Sequence, residues 1–175
     1  MNTYDQIRDY HKQHGDDYGS EHARFAKYDA IYELMLKLSP HGSMTVLDVG
    51  CGDHRFRNYI NRTGTDNPAW AGWQYTGIDL QTGTNVLDYH THHDIVVANG
   101  ILYKLPGIDE LHQIITHMWN ITDEALIITS LRAPASDEEF FIEPNLMIEL
   151  TRTLTNNYTL RADYLPTDYT IALYK

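Results

Sequence analysis

The chain has 175 residues, 42% of them hydrophobic, a size and composition that suit one folded domain spanning residues 1–175 around one core. With 24 acidic against 13 basic residues it carries a formal charge of −11, which argues against a protein held on DNA or RNA by phosphate neutralisation and leaves room for a small or cationic ligand. The one cysteine, Cys51, rules out a disulfide framework and fits a reducing, cytoplasmic setting, and no run of about 18 apolar residues offers a membrane span.

The N-terminal MNTYDQIRDY is polar and mixed in charge, unlike a secretory leader. Ile7 and Tyr10 could share one side of a short helix that Gly15 and Gly19 break. A longer helix is expected from Ser20 to Leu38. Its apolar stripe runs Ala23, Ala26, Ala30, Leu34, Leu38, and Pro40 and Gly42 stop it. Thr45 to Val49 reads as a strand, and its apolar Val46, Leu47 and Val49 mark burial on both faces. Gly50 and Gly52 follow at once, and a helix is expected from His54 to Asn61. A strand, a Gly-x-Gly turn and a helix together form a nucleotide-binding device, because the helix start offers free N–H groups and a positive dipole end.

Residues 61–72 read as a loop, and Gln74 to Ile78 as a second strand. That strand ends at Asp79, where a carboxylate can accept both ribose hydroxyls of an adenosine. Only fifteen positions separate Asp79 from Asp94, too few for a helix of three or four turns and a full strand. The second helix should therefore shrink to a turn, and Val86-Leu87 should form a stubby strand before Asp88. His90 to His93 reads as another turn, and Ile95 to Ala98 as a buried strand. Ile108 to Trp119 is expected as a helix with Ile108, Leu111, Ile115 and Met118 inward, followed by a strand from Ala125 to Thr129. Pro144 opens a helix reaching Thr155, and Tyr158–Tyr164 and Tyr169–Tyr174 form an antiparallel pair at the sheet edge. This order predicts an α/β fold with a mostly parallel open sheet of seven strands, a C-terminal hairpin and helices on both faces.

The run Asp48-Val49-Gly50-Cys51-Gly52-Asp53-His54, with Asp79 after the second strand, resembles the class I S-adenosylmethionine-dependent methyltransferases, and the chain looks like a compact member. The likeness covers residues 43–131 well. It implies a Rossmann-like fold with S-adenosyl-L-methionine as cofactor. Asp48 would lie near the methionine amino end, Gly50, Cys51 and Gly52 would pass beneath the cofactor, and Asp79, with Leu80, would hold the ribose. Asp88 resembles the acid that meets the adenine amino group. Asn99 and Gly100 belong to a segment, Asp94 to Leu105, that packs on the cofactor and faces the substrate. His54 stands where the family places a third glycine and is a candidate contact to the methionine carboxylate.

The chemistry implied is in-line attack of a nucleophile on the sulfonium methyl, with orientation and proximity as the main tasks of the protein. A base is needed only if the nucleophile holds its proton. The candidates are His14 and Tyr18, in a 1–20 segment that resembles a lid, and Tyr103 on the substrate side. The acceptor is expected to be a small molecule, or a group on a peptide or protein. A cofactor-binding module that acts without catalysis through a protein partner is the alternative, and a nicotinamide oxidoreductase fits the hairpin poorly. His90, His92 and His93 lack the converging third and fourth ligands that a zinc site needs, so no metal is expected.

Overall fold

Alternation along the first strand sets the layout. In this computed structural model, which describes residues 21–38, 43–63, 72–102, 105, 107–131 and 142–175, β1 spans Thr45–Val49. Successive side chains of a strand point to opposite faces. Val46 joins one core layer, while Leu47 and Val49 join the other. The Val46 face is covered by α1 (Glu21–Leu38), through Tyr28, Ile31, Leu34 and Met35, and by α2 (Arg55–Thr63), through Phe56 and Ile60. The Leu47 face is covered by α3 (Ile108–Asn120), through Leu111, Ile114, Ile115 and Met118, and by Met147 of α4 (Pro144–Thr151). Ala30 and Leu34 of the expected stripe on α1 are buried, and Tyr28, Ile31 and Met35 widen the inner face beyond it.

The remaining strands are β2 (Gln74–Ile78), β3 (His93–Asn99), β4 (Thr122–Leu131), β5 (Tyr158–Arg161) and β6 (Asp168–Tyr174). They lie in the order β2-β1-β3-β4-β6-β5. The first four are parallel, β6 runs antiparallel to β4, and β5 pairs antiparallel with β6 to close one side. β4 owes its length to β6, which pairs with it from Ala125 to Leu131. A clasp fixes the register at the start of the sheet. The Thr45 N–H and hydroxyl both donate to the Asp94 carboxylate, at 2.6 and 2.9 Å, and the Asp94 N–H donates back to the Thr45 hydroxyl. This places Asp48 level with Gly77 on one neighbour and Val97 on the other.

The α/β layout, the mostly parallel sheet and the closing hairpin are as the sequence predicts, but the strand count is not: the sheet has six strands among the described residues, not seven. The missing one is Val86-Leu87. There the backbone winds into a 3-10 turn, Val86–Asp88, because the Asn85 side chain accepts the Leu87 N–H at 3.0 Å and ties the chain to itself. The expected second helix has indeed shrunk to a turn, Leu80–Thr82, capped by Asp79 and ended by Gly83 at φ +90°. The other differences are smaller. His93 opens β3 instead of closing a turn, β4 runs from Thr122 to Leu131, and Ile108, expected inward, is exposed in the first turn of α3. α4 stops at Thr151, whose hydroxyl turns back to the Met147 carbonyl, and β5 stops at Arg161.

Candidate cofactor site

At the C-terminal ends of β1 and β3 the chain leaves in opposite senses, toward β2 on one side and toward β4 on the other. A crevice opens at such a point in an open α/β sheet. Here it is a small cleft of about 20 Å³, room for about one water molecule. Asp48 and Asn99 line it from the strand ends, Gly50 and Cys51 from the loop, Arg55 and Phe56 from the start of α2, and Tyr28 from α1.

The glycine loop is fixed from several sides. The N–H groups of Gly50 and Cys51 both donate to the Ile78 carbonyl, at 2.8 and 3.1 Å, which ties the end of β1 to the end of β2. Gly50 has φ +74°, and a Cβ there would fall 2.3 Å from Cγ2 of Ile101. Only glycine satisfies both conditions. Asp79 is held by two backbone groups. One oxygen accepts the Gly52 N–H at 3.0 Å and the other the Gln81 N–H at 2.7 Å. This carboxylate therefore joins the glycine loop to the turn after β2 and keeps a fixed direction. Leu80 opens that turn.

Asp48 is 2% exposed. One of its oxygens accepts a short hydrogen bond from the Tyr75 hydroxyl. Burial, reinforced by the Asp79 charge, outweighs that bond and pushes the Asp48 carboxyl up to about 7. Burial and the same two carboxylates push the Cys51 thiol up to about 12, so it is a packing group and not a nucleophile. Asn99 ends β3 and its side-chain oxygen accepts the Thr129 hydroxyl at 2.6 Å; Gly100 follows at φ +66°.

His54 keeps the conformation of the glycine it stands in for. Its φ of +59° lies in the left-handed region, costly for a residue with a Cβ though more accessible to histidine than to most. Its ring does not line the cleft. It lies against Gly77, where an added Cβ would meet Cε1, Nδ1 and the Cys51 sulfur, each at 2.8 Å. It also meets the Tyr75 ring edge-on, with centroids 6.2 Å apart. Asp88 is exposed at the end of its turn and does not line the cleft either. His14, Tyr18, Tyr103 and the 1–20 segment lie outside the described residues. The sequence reading missed Tyr75 and Tyr28. Neither belongs to a motif, and what places them is strand register and helix packing. Among the described residues no group of three or more His, Cys, Asp or Glu side chains converges on a metal position, and no helix is long and apolar enough to cross a membrane.

No protein-family model matches the chain, and no curated protein matches its sequence. Solved structures do match over its whole length. The magnesium protoporphyrin IX methyltransferase from Synechocystis PCC 6803, with bound SAM, superposes with a TM-score of 0.69 at 14% identity, covering 100% of this chain and 98% of the other. The plantazolicin methyltransferase BpumL, in complex with a triazolic desmethylPZN analog and SAH, gives a TM-score of 0.69 at 12% identity over 99% and 93% of the two chains. The [4+2]-cyclase SpnF, at 11% identity, gives 0.54 over 84% and 80%. The likeness is one of fold: the chain shares the fold of these two methyltransferases and of the cyclase.

Proposed function

We propose that the protein binds S-adenosyl-L-methionine in the cleft at the ends of β1 and β3 and transfers its methyl group to a small molecule, or to a group on a peptide or protein, in the cytoplasm. The observation that carries this reading is the pairing of two carboxylates around one glycine loop. Asp48 is buried below the loop, and Asp79 is gripped by the loop's own Gly52 N–H. The cofactor carries an ammonium, a sulfonium and a ribose diol. Buried negative charge suits the cations, and an oriented carboxylate suits the diol. Two structures of the same fold hold this cofactor or its product and are methyltransferases of magnesium protoporphyrin IX and of plantazolicin, and both are spanned almost completely by this chain.

In this reading Asp48 meets the methionine ammonium, Asp79 and Leu80 the ribose, and Gly50, Cys51 and Gly52 the underside of the cofactor. Asn99 and Gly100 face the methyl group, while Asp88 serves the adenine from the open side and His54 supports the loop. The cofactor supplies the electrophilic methyl. The protein's residues orient it, and Phe56 and Tyr28 wall the cleft on the helix side. His14, Tyr18 and Tyr103 are the side chains to replace if the acceptor must lose a proton.

The same fold also serves a cyclase, so binding and turnover are measured separately. Calorimetric titration with S-adenosylhomocysteine is expected to show one-site binding, and Asp79→Ala to weaken it about 10- to 100-fold, as loss of charge-assisted hydrogen bonds does. Unchanged affinity in the Ala variant would remove Asp79 from the site, and no binding to the wild type would end the reading. Transfer of a labelled methyl group to an acceptor then separates the enzyme from a cofactor-binding module that acts through a partner.

A further inference from the structure

We propose that Tyr75, on the strand beside Asp48, is a positioning residue of this site: its hydroxyl holds one carboxylate oxygen of Asp48 so that the other, as an anion, meets a cationic amine in the cleft. The inference rests on the cofactor reading above and adds a residue to it.

Register makes the contact possible. Val46 pairs with Tyr75 and Asp48 with Gly77, so Tyr75 and Asp48 are diagonal neighbours on the same sheet face. Gly77 offers no side chain between them, and the phenol reaches across. The Cys51 sulfur and the His54 ring fill the space above Gly77, and His54 abuts the Tyr75 ring edge-on. Arg57 lies over the Tyr75 ring at 5.5 Å from its centroid. The phenol is thus held by its ring and aimed by its hydroxyl. Asp48 Oδ2 takes the Tyr75 bond, and Oδ1 takes none among the described residues, while the residue lines the cleft.

Other charges surround the pair. Asp79 and the Cys51 thiol face Asp48 from the end of β2 and from the loop. Tyr28 faces it from α1, with Arg24, Asp53 and Arg55 acting on that phenol. β3 contributes Asn99, which carries no charge. Burial and Asp79 favour the neutral carboxyl, the Tyr75 bond favours the anion, and the carboxyl sits at about 7. The Tyr75 phenol is pushed far up by burial and the Asp48 charge, so it donates at every working pH. A bound ammonium selects the anion. Below pH 7 its arrival must move the Asp48 proton to solvent, and affinity falls about tenfold for each pH unit in a fully linked system.

The test is S-adenosylhomocysteine calorimetry between pH 5.5 and 8.5, in buffers of differing ionisation enthalpy. The wild type should release about one proton on binding at pH 5.5 and almost none at pH 8.5. Tyr75→Phe keeps the ring and loses the donor. Its affinity should fall about tenfold at pH 7 and recover much of the difference by pH 8.5, because the anion is then formed without help. Asp48→Asn should bind weakly with no pH dependence, with thermal melting confirming that each variant is folded. Wild-type binding without proton release at pH 5.5 overturns the inference and leaves the cofactor reading standing. So does a Tyr75→Phe loss that is the same at every pH, the mark of a structural role. No binding by the wild type at pH 8.5 overturns the reading and the inference with it.

Discussion

At Asp48 the price of burial is visible before any ligand arrives. The ordinary carboxylate value of 3.8 rises to about 7 in the folded chain. The folded state therefore holds a proton that the unfolded state releases between those values. Stability from this group is complete below about pH 4, falls as pH rises toward 7 and is flat above. The slope is one proton's worth, up to about 3 kcal/mol between pH 5 and pH 8. Urea unfolding of wild type and Asp48→Asn at these two pH values measures it. The wild type should lose more stability on going to pH 8 than the variant does. Parallel losses would mean that Asp48 is ionised throughout. The Tyr75 contact to Asp48 was not legible in the sequence, since it depends on which residue of β2 stands beside which residue of β1. His54 shows the reverse. Its departure from the glycine pattern was plain, but its φ of +59° and its seat against Gly77 are properties of the folded loop.

Among the elements, the glycine loop shows how a motif can have a packing cause beside a binding one. The resemblance places Gly50 beneath the cofactor, and the atoms that press on it belong to Ile101. Gly50→Ala meets that side chain and a positive φ together, and a loss of about 2–4 kcal/mol is expected. Ile101→Ala in the same chain should return the steric part and leave the backbone part, a coupling that denaturant midpoints of the single and double variants resolve. If the double variant loses the sum of the two single losses, Ile101 is not what Gly50 accommodates. The strands that the sequence revealed were those with apolar runs, such as Val46-Leu47 and Ile95-Val96-Val97-Ala98. Pattern there reflects burial between two helix layers. Val86-Leu87 misled because two apolar residues do not distinguish a strand from a turn, and the Asn85 cap decided the matter locally.

Across the whole molecule, α1 is bound to the far side of the sheet while it serves the cleft. Lys27 meets Asp168 at the start of β6 at 2.8 Å, with side-chain exposures of 13% and 5%, and Glu33 meets Arg161 of β5. The residue after Lys27 is Tyr28, which lines the cleft. Breaking a buried ion pair by removing one partner leaves a charge without compensation, a loss of about 3–5 kcal/mol. Asp168→Ala should therefore loosen the helix that walls a cleft formed by quite different strands. The thiol of Cys51 makes this measurable. It is the chain's one cysteine, it lines the cleft, and it is both buried and protonated at neutral pH. Reaction with a thiol reagent must wait for the loop to open, so the labelling rate counts openings. Labelling should be slow in the wild type, slower with S-adenosylhomocysteine and faster in Asp168→Ala; equal rates in all three would disconnect the helix from the loop. A side chain that takes no part in the chemistry thus serves as a clock built into the binding loop.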